Sequence, residues 1–177
     1  MRDCAAARSE MAEYWHFRDG LVEKVREDFT RKGEADVTLE SDIPERDFNS
    51  AGNGSSEIKN LLKRLGVDPA ILRRVAVAAY EGEINVAAHS QGGKMTSHIH
   101  PDLIHVVFED SGPGIADIEQ AMVPGFSTAD DMVRELGFGA GLGLPNIKKN
   151  ADALHISSEA GGSTILEFLI YFKENDQ

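Results

Sequence analysis

Apolar residues recur at helical spacing in the N-terminal part of the chain. Between residues 9 and 32 an apolar stripe falls at roughly heptad and half-heptad intervals, and Gly33 follows it as a plausible helix stop. The stripe consists of Trp15, Val22, Val25 and Phe29, widened by Tyr14, Phe17 and Leu21. The pattern predicts a helix that either packs on its own domain or contacts a second copy or a partner protein.

From residue 36 onward, strand and helix periods alternate along the chain. Strands are predicted over residues 36–43, 94–99, 103–108, 154–159 and 163–172, and helices over 58–65, 69–89, 117–122 and 144–152. The strands near 105 and 168 are apolar on both faces, which is typical of central strands. We therefore predict an α/β (α+β) two-layer sandwich with a mixed, largely antiparallel sheet covered on one face by helices. Residues 1–34 would form an N-terminal helical extension to a domain over 35–177.

The predicted helix over residues 69–89 is apolar on nearly every face, which indicates burial. Glu81, Glu83, Asn85 and His89 nevertheless interrupt it. A carboxylate in a buried helix is costly unless it is paired or bound, so these residues need a reason. Glu81 and Asn85 share a face because they are four positions apart. One glutamate is expected to be structural, and we assign that part to Glu83.

Two glycine-rich stretches follow strands or precede helices. Residues 109–115 read Glu-Asp-Ser-Gly-Pro-Gly-Ile, where a carboxylate at a strand end meets glycines that let backbone close around a flat ring. An ordinary turn is the alternative. Residues 137–144 read Gly-Phe-Gly-Ala-Gly-Leu-Gly-Leu and enter a helix, which suits an anion or phosphate seat. The irregular segment before this run, residues 124–138, has the length of a functional lid.

Charge and composition narrow the classes of protein. The 177-residue chain carries a formal charge of −12, which argues against direct nucleic-acid binding. A single cysteine, Cys4, is consistent with a reducing compartment, and no apolar run reaches membrane-spanning length, so we expect a cytoplasmic protein without membrane contact. His98, His100 and His105 lie close in sequence, but no partner falls at a familiar metal-ligand spacing, and we favour no metal there.

The order of Glu81-x-x-x-Asn85, Asp110-x-Gly112-x-Gly114 and the glycine run resembles the nucleotide-binding boxes of the histidine-kinase-like ATPase superfamily. Gly161-Gly162-Ser163-Thr164 is similar to the element that closes that family's site. Within the superfamily, the segment from Asp110 to Gly143 looks most like bacterial anti-sigma serine kinases and stressosome switch kinases. The resemblance covers about residues 35–172.

The resemblance implies a role for each matching residue. Asp110 would hold the adenine amino group, with Gly112 and Gly114 shaping the turn and Thr164 supporting the ring. Asn85 would ligate Mg²⁺, and Glu81 would be the catalytic base. The phosphates would be held by the glycine run and a polar residue beyond Asn85, namely Gly139, Gly141, Leu142, Gly143 and His89.

The resemblance further implies an ATP- and Mg²⁺-dependent serine/threonine kinase acting on an anti-anti-sigma-like partner, with a sigma factor as a further partner and a homodimer through the N-terminal helix. Two alternatives stay open. One is a nucleotide-sensing anti-sigma or adaptor module without kinase turnover. The other is a detached histidine-kinase catalytic domain, although the residues after His16 do not match the phospho-acceptor motif of sensor kinases.

Overall fold

Six strands form one antiparallel sheet in a computed structural model that describes residues 11–18 and 22–173. Their spatial order is β1-β5-β6-β4-β3-β2. The strands are β1 (Met11–Phe17), β2 (Val37–Ile43), β3 (Gly93–Ile99), β4 (Leu103–Asp110), β5 (Ala153–Glu159) and β6 (Thr164–Tyr171). The α-helices are α1 (Val22–Asp28), α2 (Asn53–Arg64), α3 (Pro69–His89), α4 (Ile118–Ala121), α5 (Asp131–Glu135) and α6 (Gly143–Asn150).

The centre of the sheet is the pair β4–β6, as the doubly apolar patterns of these two segments predict. The pairing runs from Leu103 opposite Tyr171 to Asp110 opposite Thr164. Alternate residues of these strands face the helices, and Phe168 is completely buried there. A strand with neighbours on both edges and side chains buried on both faces needs such a sequence.

Helices α2, α3 and α6 cover one face of the sheet. Ala78 and Ala79 of α3 are fully buried, and small side chains at this position let the helix lie close to the sheet. Ile58 of α2 and Ile147 of α6 enter the same core. The predicted two-layer α/β architecture is confirmed, and every strand pairing in the described part of the chain is antiparallel.

The N-terminal helix predicted over residues 9–32 is wrong for its first half. Residues 11–17 form strand β1, which pairs with β5, and among the described residues of this range only Val22–Asp28 forms an α-helix. Tyr14 packs toward α3's side of the sheet, whereas Trp15 and Phe17 pack on the opposite side. The apolar residues of this segment fit the two-residue period of a strand as well as the period of a helix. Pairing with β5, which is distant in sequence, selects the strand.

Helix α1 packs on the face of the sheet opposite α3, so helices cover both faces at this end. Val25 and Phe29 are buried against Leu103, Leu169 and Tyr171. These side chains of the apolar stripe therefore pack within their own chain.

A buried ion cluster lies on this second face, around the one acidic residue of β6. The Glu167 carboxylate contacts His105 Nε2, His155 Nδ1 and Lys32 Nζ, each at 2.9 Å. Burial alone would raise the pKa of Glu167, but hydrogen bonds from His105, His155 and Lys32 hold it well below its usual range. Trp15 stacks on His155 with ring centroids 3.8 Å apart. The cluster thus fastens residues from the N-terminal part to the sheet.

Two further expectations concern metals and membranes. Over residues 11–18 and 22–173, no group of three or more histidine, cysteine or acidic side chains has an arrangement that could hold a metal ion. None of the helices in these ranges is long and apolar enough to cross a membrane.

Glu83 is a structural residue that supports the start of α2. Its carboxylate, only 1% exposed, accepts hydrogen bonds from Gly54 N and Ser55 N, both at 3.0 Å. The residue before this helix, Gly52, offers no side-chain cap. Glu83 therefore satisfies two of the unpaired N–H groups at a helix N-terminus and complements its dipole.

Replacing Glu83 by alanine is expected to lower the free energy of unfolding by about 3 kcal/mol, because two charge-assisted hydrogen bonds are lost and two buried N–H groups lose their partner. Urea denaturation followed by circular dichroism measures the effect. Glu57→Ala, at an exposed position of the same helix, is the matched control and should change stability by less than about 0.5 kcal/mol. A similar loss in both variants would contradict the capping role.

Candidate functional site

Helix α3 presents the first group of candidate residues. Asp68 caps its N-terminus by accepting from Ala70 N at 2.7 Å, and Pro69 occupies the first turn, so 21 residues run as one helix. A Cβ on Gly82 would lie 2.3 Å from the ring of Phe108, so only glycine permits this approach of α3 to β4. The contact fixes Glu81, the preceding residue, relative to Asp110, which lies two positions after Phe108.

Glu81 faces α6 rather than the sheet. Its Oε1 accepts a hydrogen bond from Asn146 Nδ2 at 2.7 Å, while Oε2 has no hydrogen-bond partner among the described residues. Asn146 lies in the first turn of α6, where its own backbone N–H bonds Leu142 O. Asn146 is not among the residues predicted from the sequence, although a polar residue in the first helical turn after the glycine run was a signal for it. The arrangement orients one carboxylate oxygen and leaves the other available to take a proton.

Asn85 lies one turn after Glu81, against the first residue of α6. A Cβ on Gly143 would fall 2.6 Å from Asn85 Oδ1, so the glycine is needed for this approach. Asn85 Nδ2 is buried and has no hydrogen-bond partner in the described part of the chain. An unsatisfied buried amide is unusual and costs about 1–3 kcal/mol. The unpaired Nδ2 group can donate to a phosphate oxygen at this helix N-terminus. The Oδ1 atom of the same amide is a suitable ligand for Mg²⁺.

The glycine run closes the base of the predicted lid. Gly139 and Gly141 have φ of 76° and 73°, values that favour glycine. Gly125 N donates to Gly141 O at 2.9 Å, so the two ends of the segment between them are joined. Leu142 is the residue before α6 and makes no side-chain cap. Among the described residues, no side chain therefore caps the first N–H groups of α6, at the point where Asn85 meets Gly143.

Asp110 and Thr164 form a second group of candidate residues at the ends of β4 and β6. Thr164 N donates to Asp110 Oδ1 at 3.0 Å. The Thr164 hydroxyl also bonds Ser158 Oγ at 2.8 Å, and Ser158 Oγ accepts from Ile115 N at 2.8 Å. Ser158 is a second residue that sequence reasoning missed, because only the strand pairing reveals that it connects this turn to Thr164.

Two glycines allow the turn after β4 to lie on the β5–β6 hairpin. A Cβ on Gly114 would fall 1.9 Å from Glu159 O, and one on Gly112 would fall 2.9 Å from Gly162 O. Both residues have positive φ. Asp110, which precedes this turn, is half-buried, and burial raises its pKa to about 6, while the hydrogen bond from Thr164 N–H opposes the shift. At pH 7 the site offers an ionised, poorly hydrated carboxylate that can accept a hydrogen bond from a ligand amine.

His89 ends α3, one turn beyond Asn85. Desolvation lowers the pKa of His89, and the carboxylate of Asp130 opposes the shift. Its assignment to the phosphate end of the site stays a prediction. Arg46 bonds Ala87 O through its backbone N–H and pairs with Asp130, and these contacts place the lid close to this end of α3.

The lid, residues 125–141, is a folded segment that contacts the loop between β2 and α2. Asp130 caps α5 by accepting from Val133 N at 3.0 Å, and Val133 is fully buried. Arg46 forms an ion pair with Asp130, and Phe48 stacks on Phe138 with ring centroids 4.9 Å apart. The segment that the sequence predicted to be an irregular lid thus contains a short helix and a defined docking surface.

The candidate residues therefore lie in two groups joined by the Gly82–Phe108 contact. Glu81, Asn85 and Gly143 meet where α3 packs on α6. Asp110, Gly114 and Thr164 meet at the ends of β4 and β6. A carboxylate that can accept from an amine at one end, and a helix N-terminus with an unpaired amide at the other, suit an elongated ligand with a basic ring and an anionic tail.

The sequence around these residues matches a known protein family. The family model of the histidine kinase-like ATPase domain matches residues 49–167, an interval that contains every candidate residue named above. The serine/threonine-protein kinase RsbT of Bacillus subtilis is 29% identical over 119 residues, which cover 65% of this chain and 84% of the relative. The anti-sigma F factor of Clostridium beijerinckii is 29% identical over 106 residues, covering 55% and 71% of the two chains.

A solved structure has the same fold. A chain in the crystal structure of the SiaB–SiaC complex from Pseudomonas aeruginosa superposes with a TM-score of 0.51 at 17% identity, covering 83% of this chain and 95% of that one. At this level of identity the likeness concerns the fold alone.

Proposed function

The chain belongs to the family of histidine kinase-like ATPase domains, and from this premise we propose that it is an ATP- and Mg²⁺-dependent serine/threonine protein kinase acting on a regulatory protein of the anti-anti-sigma type. The observation that carries the proposal is the meeting of Glu81 and Asn85 with the N-terminus of α6. There a carboxylate with one free oxygen lies one turn from a buried, unpaired amide.

We assign adenine recognition to the group around Asp110. The carboxylate would accept from the exocyclic amine, while Thr164 and the turn containing Gly112 and Gly114 would border the ring. The opposite group would hold the phosphates through backbone N–H groups from Gly139 to Gly143, with His89 beside them. Mg²⁺, ligated by the Asn85 amide oxygen, would neutralise phosphate charge during transfer.

Glu81 would act as the base toward the acceptor hydroxyl. Its Oε2 would take the hydroxyl proton while the hydroxyl oxygen bonds the γ-phosphorus and the bond from that phosphorus to the β,γ-bridging oxygen breaks, leaving ADP. The hydrogen bond from Asn146 would hold the carboxylate in position. Because phosphoryl transfer depends mainly on positioning and charge neutralisation, the lid and Asn146 would contribute as well as the base.

A protein acceptor is supported by the surface next to the site. Of the seven large apolar side chains that are exposed in the described part of the chain, four lie between residues 123 and 142: Val123, Met132, Leu136 and Leu142. Several exposed apolar residues in one segment of the chain suit contact with another protein. The two curated relatives are named as a protein kinase and an anti-sigma factor, which supports a regulatory protein as the partner.

Several finer assignments belong to the same proposal. We propose a cytoplasmic protein that does not bind nucleic acid directly, in keeping with the charge of −12. A sigma factor as a further partner and a homodimer through the N-terminal residues stay predictions. We also propose that residue 35 onward is the nucleotide-binding unit and that residues 1–34 are an addition to it, although β1 shares its sheet.

Transfer of radiolabel from ATP tests the proposal. The purified chain is incubated with labelled ATP, Mg²⁺ and the anti-anti-sigma-like protein encoded nearest to it, and the label should appear on that protein in acid-stable form. Acid-labile label would instead indicate phosphohistidine and a detached histidine-kinase domain.

A second candidate function is a nucleotide-sensing anti-sigma or adaptor module, which the name of the second relative favours. It requires tight ATP binding with no phosphorylated product. Nucleotide binding measured in the same preparation separates this outcome from an inactive protein.

A further inference from the structure

Arg46 has an unusual backbone conformation. Its φ of 57° makes it the one residue other than glycine with positive φ in the described part of the chain. The left-handed region is disfavoured for a residue with a Cβ, and such residues persist where their surroundings fix them, often at functional positions. Here the Arg46 N–H donates to Ala87 O of α3 at 2.9 Å, two residues after Asn85. The loop is thereby fastened to the candidate phosphate end of α3.

The side chain of Arg46 reaches from this anchor to the lid. Its guanidinium pairs with Asp130 and donates to Met132 Sδ at 3.4 Å. Two residues later, Phe48 stacks on Phe138, near the other end of the lid. The loop between β2 and α2 therefore contacts the lid both at the start of α5 and at the start of the glycine run.

Asp130 gives the ion pair a second consequence. Its carboxylate pairs with Arg46, whose backbone N–H bonds Ala87 O of α3, so Asp130 lies near the end of α3 that carries Asn85. An unpaired carboxylate there would repel a triphosphate. The Arg46 guanidinium places a compensating charge beside it.

We propose that Arg46 is a positioning residue for nucleotide binding: it latches the lid to the loop between β2 and α2 and screens Asp130 from the triphosphate. This inference deepens the proposed function and rests on ATP as the ligand. Both paired side chains are nearly half exposed, and exposed pairs contribute modestly, so an effect of about fivefold on affinity is expected.

Four variants separate screening from a simple latch. Arg46→Met should weaken binding of a fluorescent ATP analogue about fivefold. Asp130→Asn should change the affinity less than Arg46→Met does, because asparagine still caps α5 and its oxygen can accept a hydrogen bond from Arg46. The charge left unpaired is then the positive one of Arg46, which attracts a triphosphate. The double variant Arg46→Met/Asp130→Asn should bind better than Arg46→Met alone, since the repelling carboxylate is gone. Arg46→Lys should retain most of the affinity.

The inference is overturned if Arg46→Met binds like the wild type, or if removing Asp130 fails to improve binding in the Arg46→Met background. Lys94→Met is the matched control, because it removes another exposed ion pair, Lys94–Glu40 at 3.1 Å, from strand β3. It should leave nucleotide binding unchanged.

A measurement without nucleotide keeps the latch distinct from the proposed function. Amide hydrogen exchange in α5 should be faster in Arg46→Met and in Phe48→Ala than in the wild type. Arg46→Gly should also speed this exchange, yet keep or raise the melting temperature, because glycine adopts positive φ without strain. Unchanged exchange in these variants would refute the latch. If exchange is faster in the variants but the wild type binds no ATP, the latch stands and only the kinase assignment is refuted.

Discussion

Replacing Glu81 by glutamine is expected to slow phosphoryl transfer from ATP to the partner protein by about a hundredfold or more, the usual scale for removing a general base. Glutamine keeps an oxygen that can accept from Asn146 Nδ2, so the contact with α6 survives while the proton acceptor is lost. ATP affinity should therefore change by less than about threefold, because the assigned base does not bind the nucleotide. Single-turnover radiolabel transfer measures the first quantity, and calorimetry measures the second.

Two companion variants sharpen this result. Glu57→Gln changes an exposed glutamate of α2 and should transfer phosphate at the wild-type rate. Asn146→Ala removes the orienting hydrogen bond but leaves the carboxylate, so it should lose less activity than Glu81→Gln. Transfer by Glu81→Gln within about threefold of the wild type would remove Glu81 from the role of base.

The second large effect is expected for Asp110→Asn, which should weaken ATP binding about thirtyfold, the equivalent of about 2 kcal/mol for a hydrogen bond to a charged group. The side-chain oxygen of asparagine can keep the bond from Thr164 N. Its NH₂ group would then face the adenine amine, and two donors repel. Guanine carries a carbonyl in place of that amine, so the variant should discriminate less between ATP and GTP. Calorimetry with both nucleotides checks this, and an unchanged ratio of affinities would contradict the assignment.

The same substitution should stabilise the protein in the absence of nucleotide. The pKa of Asp110 rises from 3.8 to about 6 on folding, chiefly through burial, so the folded state holds this proton more tightly than the unfolded state. Protonated Asp110 makes its full contribution to the free energy of unfolding below about pH 4, and this contribution is lost as the pH rises through about 6. Asp110→Asn removes this loss, and its melting temperature at pH 7 should exceed that of the wild type. A lower melting temperature at pH 7 would show that the carboxylate stabilises the fold.

The residues of the candidate site could be proposed from the sequence because each stands in a recognisable local pattern. Glu81 and Asn85 share one helix face, Asp110 ends a buried strand, and the glycine run precedes a helix. Their roles were assigned through the order of these patterns, which resembles a known family. Glu83 was separated from Glu81 as the structural glutamate, and its hydrogen bonds to Gly54 and Ser55 agree with that choice.

What sequence reasoning missed depends on contacts between distant segments. Residues 11–17 carry apolar side chains that fit a helix or a strand, and the strand is selected only by β5, more than 130 positions away. Asn146 matters because α6 packs on α3, and Ser158 because β5 lies beside β6. Arg46 lies in a polar loop with no motif, and only the folded chain brings it to Asp130.

The contact between Gly82 and Phe108 divides the site into a rigid part and an adjustable part. Gly82 packs directly against the ring of Phe108, so α3 and β4 cannot move closer together. The separation of Glu81 and Asp110 is therefore set by the fold. Recognition of the nucleobase, adenine or guanine, would then depend on residues whose positions are fixed. Discrimination between ATP and ADP would depend on the lid and on the loop that carries Arg46, which form the adjustable part. A substitution in the lid or in this loop could therefore abolish discrimination between ATP and ADP and still leave discrimination between adenine and guanine intact. The opposite loss would require a substitution in the rigid part around Asp110.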